Sequence, residues 1–166
     1  MILKKLLFFF PFIFIACGYK PSVDYQNRLL GNQIKTVVDI DVKNPRETIF
    51  LKDAVNDAVY SLLGDNVCYN NCSSTLIIKP SFSSLDVLDY DKNGYPVLYR
   101  SKVVLNITLK DKNSKIRNYT VSGIYDFRIE SQSIVNDETK LNAYKNASIN
   151  ALNKFFAILA KDGAEL

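Results

Sequence analysis

The chain has 166 residues, a net charge of +4 and no histidine, and 48% of its residues are hydrophobic. That length suffices for one domain with a real core, and the basic surplus is too small to mark a nucleic-acid surface. Without histidine, the commonest acid–base catalyst and metal ligand is missing.

Lys4 and Lys5 begin the chain with positive charge, and Leu6 to Ala16 follow without any. Those eleven residues reach about 16 Å as helix, whereas a bilayer core of roughly 30 Å takes about twenty, and Pro11 weakens the helix further. Residues 1–16 therefore read as a cleaved signal peptide: basic start, short apolar core, small residue at the cut. Phe14-Ile15-Ala16-Cys17 resembles a bacterial lipobox, with Phe14 where leucine is commonest. In such a motif the cysteine sulfur takes a diacylglyceryl group before cleavage frees and acylates its amine. The resemblance implies lipidation at Cys17 and a stable anchor, since more than one acyl chain holds the protein to the bilayer. Gly18, where aspartate would retain the protein at the inner membrane, implies an outer-membrane address on the periplasmic side. An ordinary signal peptide and a buried helix with a chance cysteine are the alternatives.

Residues 17–32 are polar, turn-rich and aperiodic, the pattern of a lipidated tether. A single α+β domain is expected over 33–163. Residues 33–42 alternate, with Ile34, Thr36, Val38 and Ile40 on one side, as a half-buried strand does. Asn44-Pro45 breaks it. Leu51, Ala54, Val55, Ala58, Val59 and Leu62 then recur at helical spacing, and Gly64 offers a stop. Cys68 and Cys72 read as a structural disulfide in an exported chain. Two thiols without histidine are too few for zinc, and the spacing is not the C-x-x-C of a redox site.

Residues 74–90 are extended, with Leu76, Ile78 and Phe82 on one side. Pro80 cannot donate a ladder hydrogen bond, so a bulge or an edge position is expected there. Residues 91–94, Asp-Lys-Asn-Gly, form a hairpin turn by composition. From Val97 to Lys110 the alternation runs for fourteen residues, well beyond the usual strand of about five or six. A second turn at 111–115 leads to a fourth strand over 116–128, through Tyr119, Val121, Tyr125 and Phe127. A last helix starts at Asn136 or Asp137 and runs to about residue 161, with Gly163 at its end. The order β-α-β-β-β-α predicts a two-layer α+β sandwich, an antiparallel four-stranded sheet with both helices on one face.

No catalytic constellation can be assembled. The sequence lacks a Gly-rich phosphate loop and a G-x-S-x-G elbow, and no cofactor or metal is expected. Asp39 and Asp41 fit a solvated edge. The acidic run 86–94 lacks the closing glutamate of a calcium loop. Surface remains: Arg100, Lys102, Lys110 and Arg117 recur on the expected open face of the sheet, with Lys92 at a hairpin tip, where they could pair with phosphates.

Four stretches together resemble the LptE family of lipopolysaccharide-assembly lipoproteins: "ACGYKP", "LKDAVNDAV", "YDKNGYPVLYRSKVVLNITLKDKN" and "YTVSGIYDF". The resemblance implies a non-enzymatic partner of the outer-membrane barrel LptD. Such a protein plugs the barrel, supports its assembly and contacts lipopolysaccharide or lipooligosaccharide. The family's basic residue before the Asn-Gly turn matches Lys92, whereas its lysine on the last strand falls at Ile124, leaving Arg100, Lys102 or Arg117 to substitute. The other class of reading is an independent periplasm-facing lipoprotein of the same fold, lipid-binding or structural.

Overall fold

A computed structural model describes residues 29–39 and 45–164, with the backbone alone for 45–48 and 65. The elements are β1 (Ile34–Val38), α1 (Pro45–Leu63), a 3-10 turn (Gly64–Asn66), β2 (Ser74–Tyr90), β3 (Pro96–Lys110), β4 (Ile116–Arg128) and α2 (Asp137–Ala164). The expected order β-α-β-β-β-α and the α+β class hold. The signal segment, Cys17, most of the tether and residues 40–44 lie outside the described residues.

The sheet runs β1-β2-β3-β4 and is mixed. β2, β3 and β4 form the expected antiparallel meander, but β1 pairs with β2 in parallel, Ile34 opposite Ser74 and Val38 opposite Ile78. This corrects the all-antiparallel expectation. The reason is the connection: α1 carries the chain back along the sheet, so β2 starts at the same end as β1.

Alternation along the strands decides what the helices cover. Leu76 and Ile78 on β2, and Val103, Leu105, Ile107 and Leu109 on β3, are at most 1% exposed. Each such side chain contributes about 1.5–3 kcal/mol by leaving water. They meet Ala54, Val55, Ala58 and Val59 of α1 and Ala147, Ala151, Leu152, Phe155 and Leu159 of α2. Leu29 and Leu30 are helical and join the same core, so packing begins ahead of the expected boundary at residue 33.

The ends of the elements follow their residues. Pro45 opens α1, where its missing N–H costs no hydrogen bond. Asn136 caps α2, its Oδ1 accepting the Thr139 N–H at 2.8 Å, and Asp137 and Glu138 complement the helix dipole. α2 runs past Gly163, which is buried inside its last turn. The two β-hairpin turns share one construction, built on Asp91-Lys-Asn-Gly and Asp111-Lys-Asn-Ser. In each, the aspartate Oδ1 accepts two backbone N–H groups, from Asn93 and Tyr95 in one and from Asn113 and Lys115 in the other. Gly94 and Ser114 hold the left-handed position, with φ 83° and 63°.

α2 crosses β4 at Gly123, and no side chain fits between them. A Cβ built there would overlap the Ala147 carbonyl oxygen and the Ala151 nitrogen. On either side, Asn150 Nδ2 donates to the Ile124 carbonyl and Lys154 Nζ to the Ser122 carbonyl, both at 2.8 Å. Gly123→Ala should therefore lower stability by about 3 kcal/mol, which for a domain of this size is a drop in Tm of about 6–12 °C. Thermal unfolding followed by circular dichroism measures it. A Tm equal to the parent's would refute the backbone contact.

Candidate functional site

Among the described residues nothing covers the face of the sheet opposite the helices, and strand pairing fixes which residues stand on it. Ser84, Lys102 and Ile124 form one row across β2, β3 and β4, and Asp86, Arg100 and Asp126 form the next. Phe82, Val104 and Ser122 form the row on the other side. Phe82 reaches this face because Ser81 is an extra residue in β2, a bulge just after Pro80. Of the two outcomes expected at Pro80, a bulge or an edge position, the bulge is the one found. The placement of Phe82 beside Leu76 and Ile78 is corrected, because one extra residue inverts the alternation.

Lys102 lies at the centre of the patch. Its Nζ sits 5.9 Å from the centroid of the Phe82 ring, within the range of a cation–π contact, and Ile124 is directly opposite on β4. No ion pair to another described residue takes up its charge. Farther toward the β3–β4 turn the face becomes neutral and polar, with Thr108 paired to Asn118 at 2.8 Å and Thr120 to Asn106 at 2.9 Å.

The other expected cations divide. Arg100 makes a two-pronged ion pair with Asp126, Nε to Oδ1 at 2.8 Å and Nη2 to Oδ2 at 2.7 Å. The pair holds the Asp126 carboxyl below its ordinary range and raises the Arg100 guanidinium. Much of the Arg100 charge is therefore met within the protein. Arg117 is on the opposite face: it pairs with the inward Leu109, and its Nε lies 3.9 Å from the buried Asp111 carboxylate. The expectation that Arg117 joins the open face is corrected. The cause is register, since 117 has the parity of Tyr119 and Val121, which pack toward α2.

Lys92 sits exposed at the tip of the β2–β3 turn. About six residues of strand separate its turn from Lys102, or about 20 Å, so the two lysines cannot clamp one phosphate. The turn itself is rigid. Asp91 Oδ2 accepts the Ser131 hydroxyl, and that bond, ahead of the Tyr95 N–H, holds the Asp91 carboxyl below its ordinary range. Ile129 N–H to the Val97 carbonyl at 3.1 Å adds a second tie between the hairpin and the segment after β4.

The end of the hairpin projects beyond the helices. Buried positions on β3 stop at Ser101, while β2 and β3 continue to Tyr90 and Pro96. On the helix-side face of this projection, Tyr99 stacks on Phe127 at 5.6 Å and Tyr125 on Phe127 at 6.2 Å. Around them Val87, Leu88, Tyr90 and Tyr95 are 37–58% exposed. Composition did not single out this apolar tip, although Tyr90, Tyr95, Tyr99, Tyr125 and Phe127 are all visible in the sequence. Their shared location depends on strand register.

At the opposite end, Cys68 and Cys72 form the expected disulfide, with Cα atoms 5.9 Å apart. It closes the loop between the 3-10 turn and β2, where Cys68 N–H bonds to the Ile34 carbonyl at 3.0 Å. Among the described residues no cluster of acidic residues and cysteines could hold a metal, and no helix is long and apolar enough to cross a membrane.

No family model matches the chain, and no curated protein does. Solved structures do resemble it. One, from Caulobacter crescentus CB15 and provisionally named a lipoprotein, has a TM-score of 0.52 and 13% identity, with 88% of this chain and 100% of that one covered. Another is rare lipoprotein B from Shewanella oneidensis, with a TM-score of 0.46 and 13% identity over 81% of this chain and 98% of that one. At such identity the Caulobacter likeness establishes a shared fold, the two-layer α+β sandwich described above.

Proposed function

We propose that this chain is an outer-membrane lipoprotein, anchored through Cys17 on the periplasmic side, that plugs and helps assemble the LptD barrel. In that role it supports lipopolysaccharide transport to the cell surface. The observation that carries the reading is the hairpin projection: an apolar, aromatic tip standing clear of the protein's own core. Exposed apolar groups gathered in one place mark a surface that another protein covers, and a long rigid hairpin suits the lumen of a barrel. The lipobox resemblance and the LptE-like stretches supply the identity of that barrel.

Lipopolysaccharide contact is assigned to the bare sheet face and the tip. Lys102 supplies a cation beside the Phe82 ring and Ile124, an arrangement suited to an anionic group that carries apolar chains. Lys92 supplies a second cation at the tip. The role needs no catalytic residue, and nucleic acid is not a partner.

Two measurements test this. The intact lipoprotein, purified in mild detergent from its own cells, should bring down an outer-membrane barrel in a one-to-one ratio; recovery without a barrel would favour the free-standing lipoprotein instead. Lys92→Gln combined with Lys102→Gln should weaken lipopolysaccharide binding several-fold at low salt, with the difference shrinking as salt screens it. Barrel recovery should be unchanged. Equal lipopolysaccharide binding by parent and variant would remove both lysines from the contact.

A further inference from the structure

The register places a set of lysines beside the point where the chain enters the fold. Lys35, Thr75, Lys110 and Ile116 stand side by side on the four strands, all on the bare face. The turn that follows β3 adds Lys112 and Lys115. All four lysines are exposed, and none forms an ion pair with a described residue. Two carboxylates of the same end are engaged elsewhere: Asp111 faces Arg117, and Asp162 accepts the Tyr119 hydroxyl at 2.9 Å. Ile116 is 63% exposed among these cations.

The far end of the molecule has the opposite character. Its turn has one lysine, Lys92, with Asp86, Asp89 and Asp91 close by in sequence on the same hairpin. The two turns share their construction but differ in charge, so the basic end is a feature of sequence and does not come with the turn type.

We infer that the Lys35, Lys110, Lys112 and Lys115 end docks on anionic phospholipid headgroups of the leaflet that receives the lipid anchor, with Ile116 entering the headgroup region. The inference rests on the anchor at Cys17 proposed above. Leu29, which is buried, lies twelve residue steps after Cys17, which bounds the anchor to within about 40 Å of the core. Lys110 stands two strand spacings, about 10 Å, from Lys35 at the start of β1. The anchor therefore brings this end toward the bilayer, and lysines close to an anionic surface are attracted to it over roughly a Debye length. Docking sets the long axis of the hairpin upright with the apolar tip away from the headgroups, so it belongs to the lipidated chain before its hairpin enters a barrel in the same membrane.

The test uses the full lipidated chain reconstituted into vesicles of phosphatidylcholine, with or without phosphatidylglycerol, each containing a headgroup-linked quencher. A fluorophore is attached at Asn113→Cys, and separately at Asn93→Cys, the equivalent position of the far turn. Quenching at 113 should be at least about threefold stronger in the anionic vesicles and unchanged at 93. High salt, or Lys→Gln at 35, 110, 112 and 115 together, should abolish the difference. Equal quenching at 113 in both vesicle types, in protein whose mass shows acylated Cys17, would overturn the docking inference alone. Protein without acyl chains at Cys17 would overturn the anchor reading and this inference with it.

Discussion

The contact of α2 with β4 at Gly123 sets the arrangement of everything else. Helix backbone meets strand backbone there, because the helix presents Ala147 and Ala151 and the strand presents no side chain. This close approach brings Asn150 and Lys154 to the outer edge of β4, where they occupy the Ile124 and Ser122 carbonyls. An edge strand otherwise offers a template for pairing with another chain. Here the helix packs the core and closes part of that edge. The Tyr119 hydroxyl bonded to Asp162 pins the far end of α2, and Lys145 near Asp57 joins it to α1.

With both helices committed to one face, the molecule has regions of distinct character. The bare face carries the Lys102, Phe82 and Ile124 patch beside neutral polar rows. The projecting hairpin carries aromatic stacks that its own helices do not reach. The chain enters at the other end, among lysines and beside the disulfide. The apolar tip and the lysines lie at opposite ends of the same strands, so a protein anchored by its N-terminus would use them in turn, the basic end on the bilayer and the hairpin on a barrel.

The fold was largely legible because its signals are periodic. The fourteen-residue alternation before Lys110, the Asp-Lys-Asn turns and the helical spacing of Leu51 to Leu62 each specify local structure. What stayed hidden depends on partners distant in sequence. The parallel pairing of β1 follows from where α1 returns the chain, which no local pattern states. A single bulge at Ser81 moved Phe82 to the other face and made it the neighbour of Lys102. Arg100 read as a free cation, since nothing near it in sequence announces Asp126, twenty-six residues later. Arg117 is the exception, because its shared parity with Tyr119 and Val121 is local and its inward face was readable from the alternation itself. The candidate site was thus legible as a set of residue types and illegible as an arrangement.

The central claim is that the hairpin projection engages an outer-membrane barrel. Photo-crosslinking in living cells tests it most directly, with a photoreactive residue placed at Tyr90 on the projection and, as a control, at Ile158, an exposed position on α2. The account predicts an adduct with a barrel protein from position 90 and none from 158. Adducts from 158 alone, or none from 90 in cells with acylated protein in the outer membrane, would contradict it.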